Sequence, residues 1–392
     1  MPLHRRVFFI AGFDPKSPRY YHHLYRTLAA HRPPGAEGAG GPPVQVGPRR
    51  RLNDIADEWD VHWPQPDGST RHTRYTLLRW DDIVRAHWAR PAKTVLLDHW
   101  RFYADGWRQG FLGLAWRLSR LNWLFLMFPL CVALLVLFGW LAAAFGLGAL
   151  LPRGQEPLGV LLAALAGAPL AWWGWRRLAH RVGSDWLMRL YGFSHQQAAG
   201  RVAALEDRAA AMGEMIRRAC LQHEGAVEVL VVGHSTGATL AGTAVAHALA
   251  LSPALVGEGP ALGLLTLGHC TPLVYGFPHA AALRQHLDTV TAHPALSWVD
   301  YTAPADWAGC GRIPPWPRPG AALLRRLSPR FPKILRPERY AALRRDRLAM
   351  HMQYLKPADH AGRYDLLALT AGGPTLRERH AAMRDDYQDP TG

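Results

Sequence analysis

The chain has 392 residues, 49% of them apolar, so one large domain or two smaller ones can each bury a sizeable core. Lys and Arg number 45 against 30 Asp and Glu, a formal charge of +15, almost all of it Arg. No basic stripe with interleaved aromatics and no nucleic-acid motif accompanies that charge, which points instead to anionic head groups and argues against a nucleic-acid partner.

The N-terminal "MPLHRRVFFIAGFDPKSPRYY" has too short an apolar run for a secretory signal. Val7 to Ala11 reads as a first strand, followed by a helix from about Tyr20 to Ala30. Residues 32–50, rich in Gly and Pro, read as a flexible loop. "DEWDVHW" and "TRYTLLRW" are the next strand candidates.

The stretch "DHWRFYADGWRQGFLGLAWRLSR" mixes Arg with Trp, Phe and Tyr. It fits a helix lying among lipid head groups and equally an amphipathic helix packed on a core. Then no residue between Arg120 and Arg153 is charged, and none between Glu156 and Arg176. Spanning hydrocarbon takes about 20 apolar residues. The two runs therefore read as a transmembrane helical hairpin over 120–176, joined by the short turn "LPRGQEP". Arg117 and Arg120 before it, and Arg176, Arg177 and Arg181 after it, place both flanks on the cytoplasmic side. Trp123, Trp140, Trp172, Trp173 and Trp175 lie near the run ends, as interfacial anchors do. The hairpin divides the rest into 1–119 and 177–392. The expected address is a bacterial inner membrane, with the larger part of the chain cytoplasmic.

Beyond the hairpin, helix patterns cover Gln196 to Gln222, Thr236 to Leu251 and His279 to Thr289. Strand patterns cover "VEVLVV", "LGLLTLG", "ALSWVDY" and, more weakly, "YDLLAL". Alternating strands and helices imply an α/β fold, a mainly parallel sheet with helices on both faces. Residues 311–337, rich in Pro and Arg, read as irregular, either a cap over a site or a surface-binding arm. The cysteines Cys131, Cys220, Cys270 and Cys310 have neither metal-ligand nor disulfide-framework spacing, so no metal and no cofactor is expected.

The chemistry-bearing stretch is Gly233-His234-Ser235-Thr236-Gly237, between the strand "VEVLVV" and a helix. A tight strand-to-helix turn strains the middle residue, and flanking glycines let the chain double back. The turn is expected to push the Ser235 hydroxyl out above the sheet. This pattern resembles the nucleophile elbow of the α/β-hydrolase superfamily, G-x-S-x-G between strand and helix. The resemblance implies a lipase- or esterase-like serine hydrolase with the chain order Ser, acid, His. Asp306, in the loop after "LSWVDY", is the preferred acid, with Asp300 at the strand end as the alternative. His351 is the preferred base, with His360 as the alternative. The amides of Phe13 and Thr236 are the implied oxyanion donors, with Asp14 holding the Phe13 loop by local hydrogen bonds. His234 and His269 can line the pocket.

The expected activity is cleavage of carboxylic esters, with a lipid or another hydrophobic ester as substrate and membrane lipids as partners. The alternative from a different class is a non-catalytic, hydrolase-like membrane scaffold. Oligomeric state is not readable from the sequence.

Overall fold

The computed structural model describes residues 4–387 except 223, 256–258 and 319. A nine-stranded mixed sheet carries the fold. Its strands are β1 (Arg5–Ile10), β2 (Gln45–Val46), β3 (Arg50–Asn53), β4 (Ala56–Pro64), β5 (Thr70–Leu78), β6 (Glu228–His234), β7 (Ala261–Leu267), β8 (Ser297–Tyr301) and β9 (Leu323–Leu327). The order is β2-β4-β5-β1-β6-β7-β8-β9, with β3 also on β4. From β5 to β9 every pairing is parallel; β4 runs antiparallel to β5, β2 and β3.

Burial on both faces explains the unbroken apolar strands. Phe8 and Ile10 of β1, Val229 and Val231 of β6, and Leu262 and Leu264 of β7 join one core. Their alternates Val7, Phe9, Leu230, Val232, Leu265 and Leu267 join the other. Helices α1 (Pro18–Ala30), α2 (Asp81–Trp88), α3 (Ala92–Arg108), α4 (Phe111–Leu118), α5 (Arg120–Gly148), α6 (Glu156–Arg181), α7 (Ser184–Ala198), α8 (Ala203–Leu221), α9 (Thr236–Leu251), α10 (Pro272–Tyr275) and α11 (Ala281–Thr291) follow in chain order. Residues of α3, α7, α8, α9 and α11 fill the first core; α1 and the chain after Phe331 fill the second.

Four local expectations are corrected. "YDLLAL" lies not in a strand but at the start of a short helix, Leu366–Ala371, whose first turn is capped by Asp365 accepting from the Ala368 amide. The last strand is instead β9, inside the segment read as irregular. Its run "LLRRL" hides the apolar alternation behind Arg325 and Arg326, which an edge strand tolerates. The predicted helix Gln196–Gln222 breaks in two at Gly200, which has φ +66°. Finally, β2 and Arg50 of β3 fall within the stretch read as a flexible loop.

Helices α5 and α6 are long and apolar enough to cross a membrane. At 29 and 26 residues they extend about 44 and 39 Å. They pack on each other closely where Gly148 meets Val160, and the Trp140 indole donates to the Ala164 carbonyl at 3.2 Å. Outward they present Leu135, Phe138, Phe145, Leu165 and Leu170 to no protein surface. The root of α5 is different. Phe125, Leu126 and Met127 are buried, Phe125 stacks on Trp307 at 4.2 Å, and the Tyr103 hydroxyl donates to the Leu126 carbonyl at 2.6 Å. In α3 and α4, Phe102, Phe111 and Leu112 face the core, while Trp100, Trp107 and Trp116 point outward.

Candidate active site

The turn from β6 into α9 is as tight as the pentapeptide suggests. Ser235 has φ 60° and ψ −127°, a conformation that costs a non-glycine residue of order 1–3 kcal/mol. Its amide donates to the Leu267 carbonyl at 2.9 Å, fastening the turn to β7. The glycines are required by contact. A Cβ on Gly233 would lie 2.5 Å from the Gly237 carbonyl oxygen, and one on Gly237 would overlap the Ile10 and Ala11 carbonyls. Gly12, two residues past the end of β1, faces the same turn, and a Cβ there would lie 2.6 Å from Ser235 Cβ.

The hydroxyl does not stand proud of the molecule. Ser235 is only 3% exposed. Its side chain does not cap α9; Oγ lies 3.6 Å from Cys270 Sγ, and the Cys270 thiol donates to the Ala308 carbonyl at 3.1 Å. Burial pushes the Cys270 thiol up to about 12, so it stays a neutral neighbour. The expected outward hydroxyl is thus corrected: a local turn sets the direction of a side chain, and distant loops decide what covers it.

Asp306 and His351 come together. His351 Nδ1 donates to Asp306 Oδ2 at 2.8 Å, and both side chains are buried. Tyr354 donates to the same carboxylate oxygen at 3.1 Å, and the Ala308 amide to the other at 3.1 Å. Burial alone would push the Asp306 pKa up; the His351 charge and hydrogen bond and the amides of Ala308 and Gly309 outweigh it and hold it below the usual range. Gly309 is a glycine for space, since a Cβ there would sit 2.7 Å from Asp306 Oδ2. With Nδ1 committed, His351 Nε2 is left as the free ring nitrogen, and it is buried without a hydrogen-bond partner among the described residues. The His234 ring centroid lies 4.8 Å away, and its Nε2–H donates to the His351 carbonyl at 3.0 Å. His234 therefore braces His351 and is itself driven down to about 3, by burial first and the His351 charge second. The direct Ser235–His351 hydrogen bond is not made.

The alternatives lie elsewhere. Asp300 accepts from Thr266 at 2.7 Å and Thr302 at 3.0 Å, and its nearest imidazole is His269 at 3.6 Å. His269 is fully buried in that second pair. Burial raises the Asp300 pKa and lowers that of His269, so both are driven toward neutrality. His360 is exposed, beside Gly35 and Ala361 and away from Asp306.

The Phe13 ring stacks on Phe193 at 4.7 Å. Among the described residues its amide has no hydrogen-bond acceptor. The Thr236 amide, first in α9, is one of the donors every helix start leaves free. Asp14 accepts from the Lys16 amide at 3.0 Å, the local bond expected of it. Sequence reasoning missed Cys270 and Tyr354. Tyr354 follows His351 by three residues, a spacing that gave a signal; Cys270 gave none.

Compared with protein-family models, curated proteins and solved structures, the chain matches none of them.

Proposed function

We propose that this chain is a membrane-anchored serine hydrolase of the α/β-hydrolase type, acting on carboxylic esters. The observation that carries the reading is the buried Asp306–His351 pair, with His351 Nε2 unpartnered, in the same region as a strained serine. Turnover requires the loops over Ser235 to open and the hydroxyl to turn from Cys270 to His351. Ser235 Oγ then bonds to the ester carbonyl carbon while His351 Nε2 takes its proton, and Asp306 stabilises the imidazolium. The amides of Phe13 and Thr236 receive the oxyanion. The proton passes to the leaving alcohol as the ester C–O bond breaks, and water repeats the sequence to release the acid.

In this reading α5 and α6 span the bilayer, with both chain ends and the sheet on the cytoplasmic side and the connector at Gly154 outside. The outward Trp100, Trp107 and Trp116 suit a head-group layer. A small apolar cleft lined by Phe111, Leu118, Ile313 and the stacked pair Phe125 and Trp307 lies between the root of α5 and the Asp306 loop. At about 30 Å³ the cleft is too small for an acyl chain as it stands, so the preference for a lipid or other hydrophobic ester rests on the membrane anchor and requires the cleft to widen when the loops open.

The burial of Ser235 and the missing Ser235–His351 bond favour one second reading, a non-catalytic membrane scaffold. A fluorophosphonate probe separates the two. Labelling of the full chain in detergent, lost in Ser235→Ala, supports the hydrolase. A folded protein that stays unlabelled, with and without added lipid, supports the scaffold.

A further inference from the structure

We propose that Glu206, His247 and His286 bind one divalent transition-metal cation of the Zn²⁺ class. The three residues come from three helices, α8, α9 and α11, and this proposal does not rest on the hydrolase reading. His247 Nε2 lies 2.8 Å from Glu206 Oε1, and His286 Nε2 lies 3.6 Å from the same oxygen. The two imidazole centroids are 4.9 Å apart. One ligand atom from each residue falls within 4.8 Å of the other two. Ligands at about 2.0–2.2 Å on a tetrahedron stand about 3.4 Å apart. Reaching that spacing takes side-chain rotations that draw the two imidazoles together and move Glu206 slightly off His247; the Glu206 side chain is 55% exposed and those of His247 and His286 are 24% and 20% exposed, so all three have room at the surface.

Packing brings the set together. Gly213, seven residues after Glu206 and on the same face of α8, faces α9 so closely that a Cβ would lie 2.7 Å from His247 Cβ. Gly242 on α9 makes the matching approach to Leu287, next to His286 on α11.

An ordinary ion pair is a poor account of the cluster. The chain is rich in arginine, and other acids on these helices and nearby take it: Glu214 pairs with Arg217 and Arg218, Asp82 with Arg208, and Asp288 with Arg318. Among the described residues, Glu206 has only the two imidazoles as ion partners. Two cationic imidazoles at that spacing would repel each other, whereas two neutral ones and a carboxylate are a donor set for Zn²⁺, with a fourth position open to solvent. His247 sits 11 residues after Thr236, about 16 Å along the α9 axis, so the cation would not reach Ser235. It would instead tie three helices over one face of the sheet.

The test uses the full chain in detergent, stripped with a chelator, dialysed and titrated with Zn²⁺ by calorimetry. The expected result is one Zn²⁺ per chain with a Kd in the micromolar range or below, and a Tm that rises on loading. Each of Glu206→Gln, His247→Ala and His286→Ala should weaken binding at least tenfold and remove the Tm rise. Loading with Co²⁺ should give visible d–d absorption that the same variants lose. The three positions are partly exposed, and equal metal-free melting of variants and parent checks that folding is intact. The proposal is overturned if the parent takes up no Zn²⁺ at 100-fold molar excess, or if the variants bind as the parent does.

Discussion

Asp306 and His351, 45 residues apart in the chain, meet at 2.8 Å with both side chains buried. The carboxylate has no solvent to fall back on, and it accepts from His351, Tyr354 and the Ala308 amide together. Asp306→Asn replaces one acceptor oxygen by a donor and leaves the imidazole tautomer unspecified. Fluorophosphonate labelling of Ser235 should slow about 100-fold or more. The same change should cost about 1–3 kcal/mol of stability through the broken buried network. Labelling rate and thermal melting read the two effects separately; an unchanged rate in a folded variant would remove Asp306 from the mechanism.

Ser235 holds a backbone conformation suited to glycine. Ser235→Gly relieves that strain, offset by the extra chain entropy glycine loses on folding, for a net gain of about 1 kcal/mol. Ser235→Ala keeps Cβ and the strain. The glycine variant should therefore melt above the alanine variant, with neither labelled. A glycine variant that melts lower would show that the turn is not strained.

Acid should destabilise the protein well before its carboxylates titrate. Burial pushes His99 and His234 down to about 3 and His380 to about 4, from an ordinary value of 6.5. The unfolded chain then binds more protons than the folded one, so stability is full above pH 6.5 and falls as pH drops below it. Each site costs about 1.4 kcal/mol by pH 5.5. Asp300, whose pKa burial raises, acts in the opposite sense. Among the described residues, neither ring nitrogen of His99 has a partner. His99→Phe should thus remove its own share, about 1.4 kcal/mol, of the loss between pH 7.5 and 5.5, read as Tm against pH, while the other buried histidines, His269 among them, keep theirs.

How much was legible follows from how local each signal is. The parallel strands are readable because both of their faces are buried. The Ser235 turn is readable because Gly233 and Gly237 are demanded by contacts within a few residues of the bend or one strand away. The partner of His351 is a different matter. Asp300 and Asp306 are equally acidic in sequence, and Asp300 is occupied by Thr266, brought alongside by β7, together with the neighbouring Thr302. The cover over Ser235 depends on the loop carrying Cys270, which no pattern near the serine reports. Strand β9 escaped notice because two arginines at a sheet edge look like a loop.

The hairpin should be separable from the fold only beyond its root. Phe125, Leu126 and Met127 belong to the body of the protein, and Val136 still packs against buried Val95, Trp175, Ala179 and Met188. Distal to that, apolar side chains such as Leu150, 80% exposed, have no protein to lean on. Replacing residues 138–168 by a short Gly-Ser turn should leave the melting transition and the labelling intact, while alkaline carbonate, which leaves the parent in membranes, releases the variant. Removing 121–174 also takes out the three buried root residues, each contributing about 1.5–3 kcal/mol, and should abolish folding. If the shorter excision also unfolds the chain, the distal hairpin is part of the core; if carbonate releases the parent too, α5 and α6 do not span the bilayer.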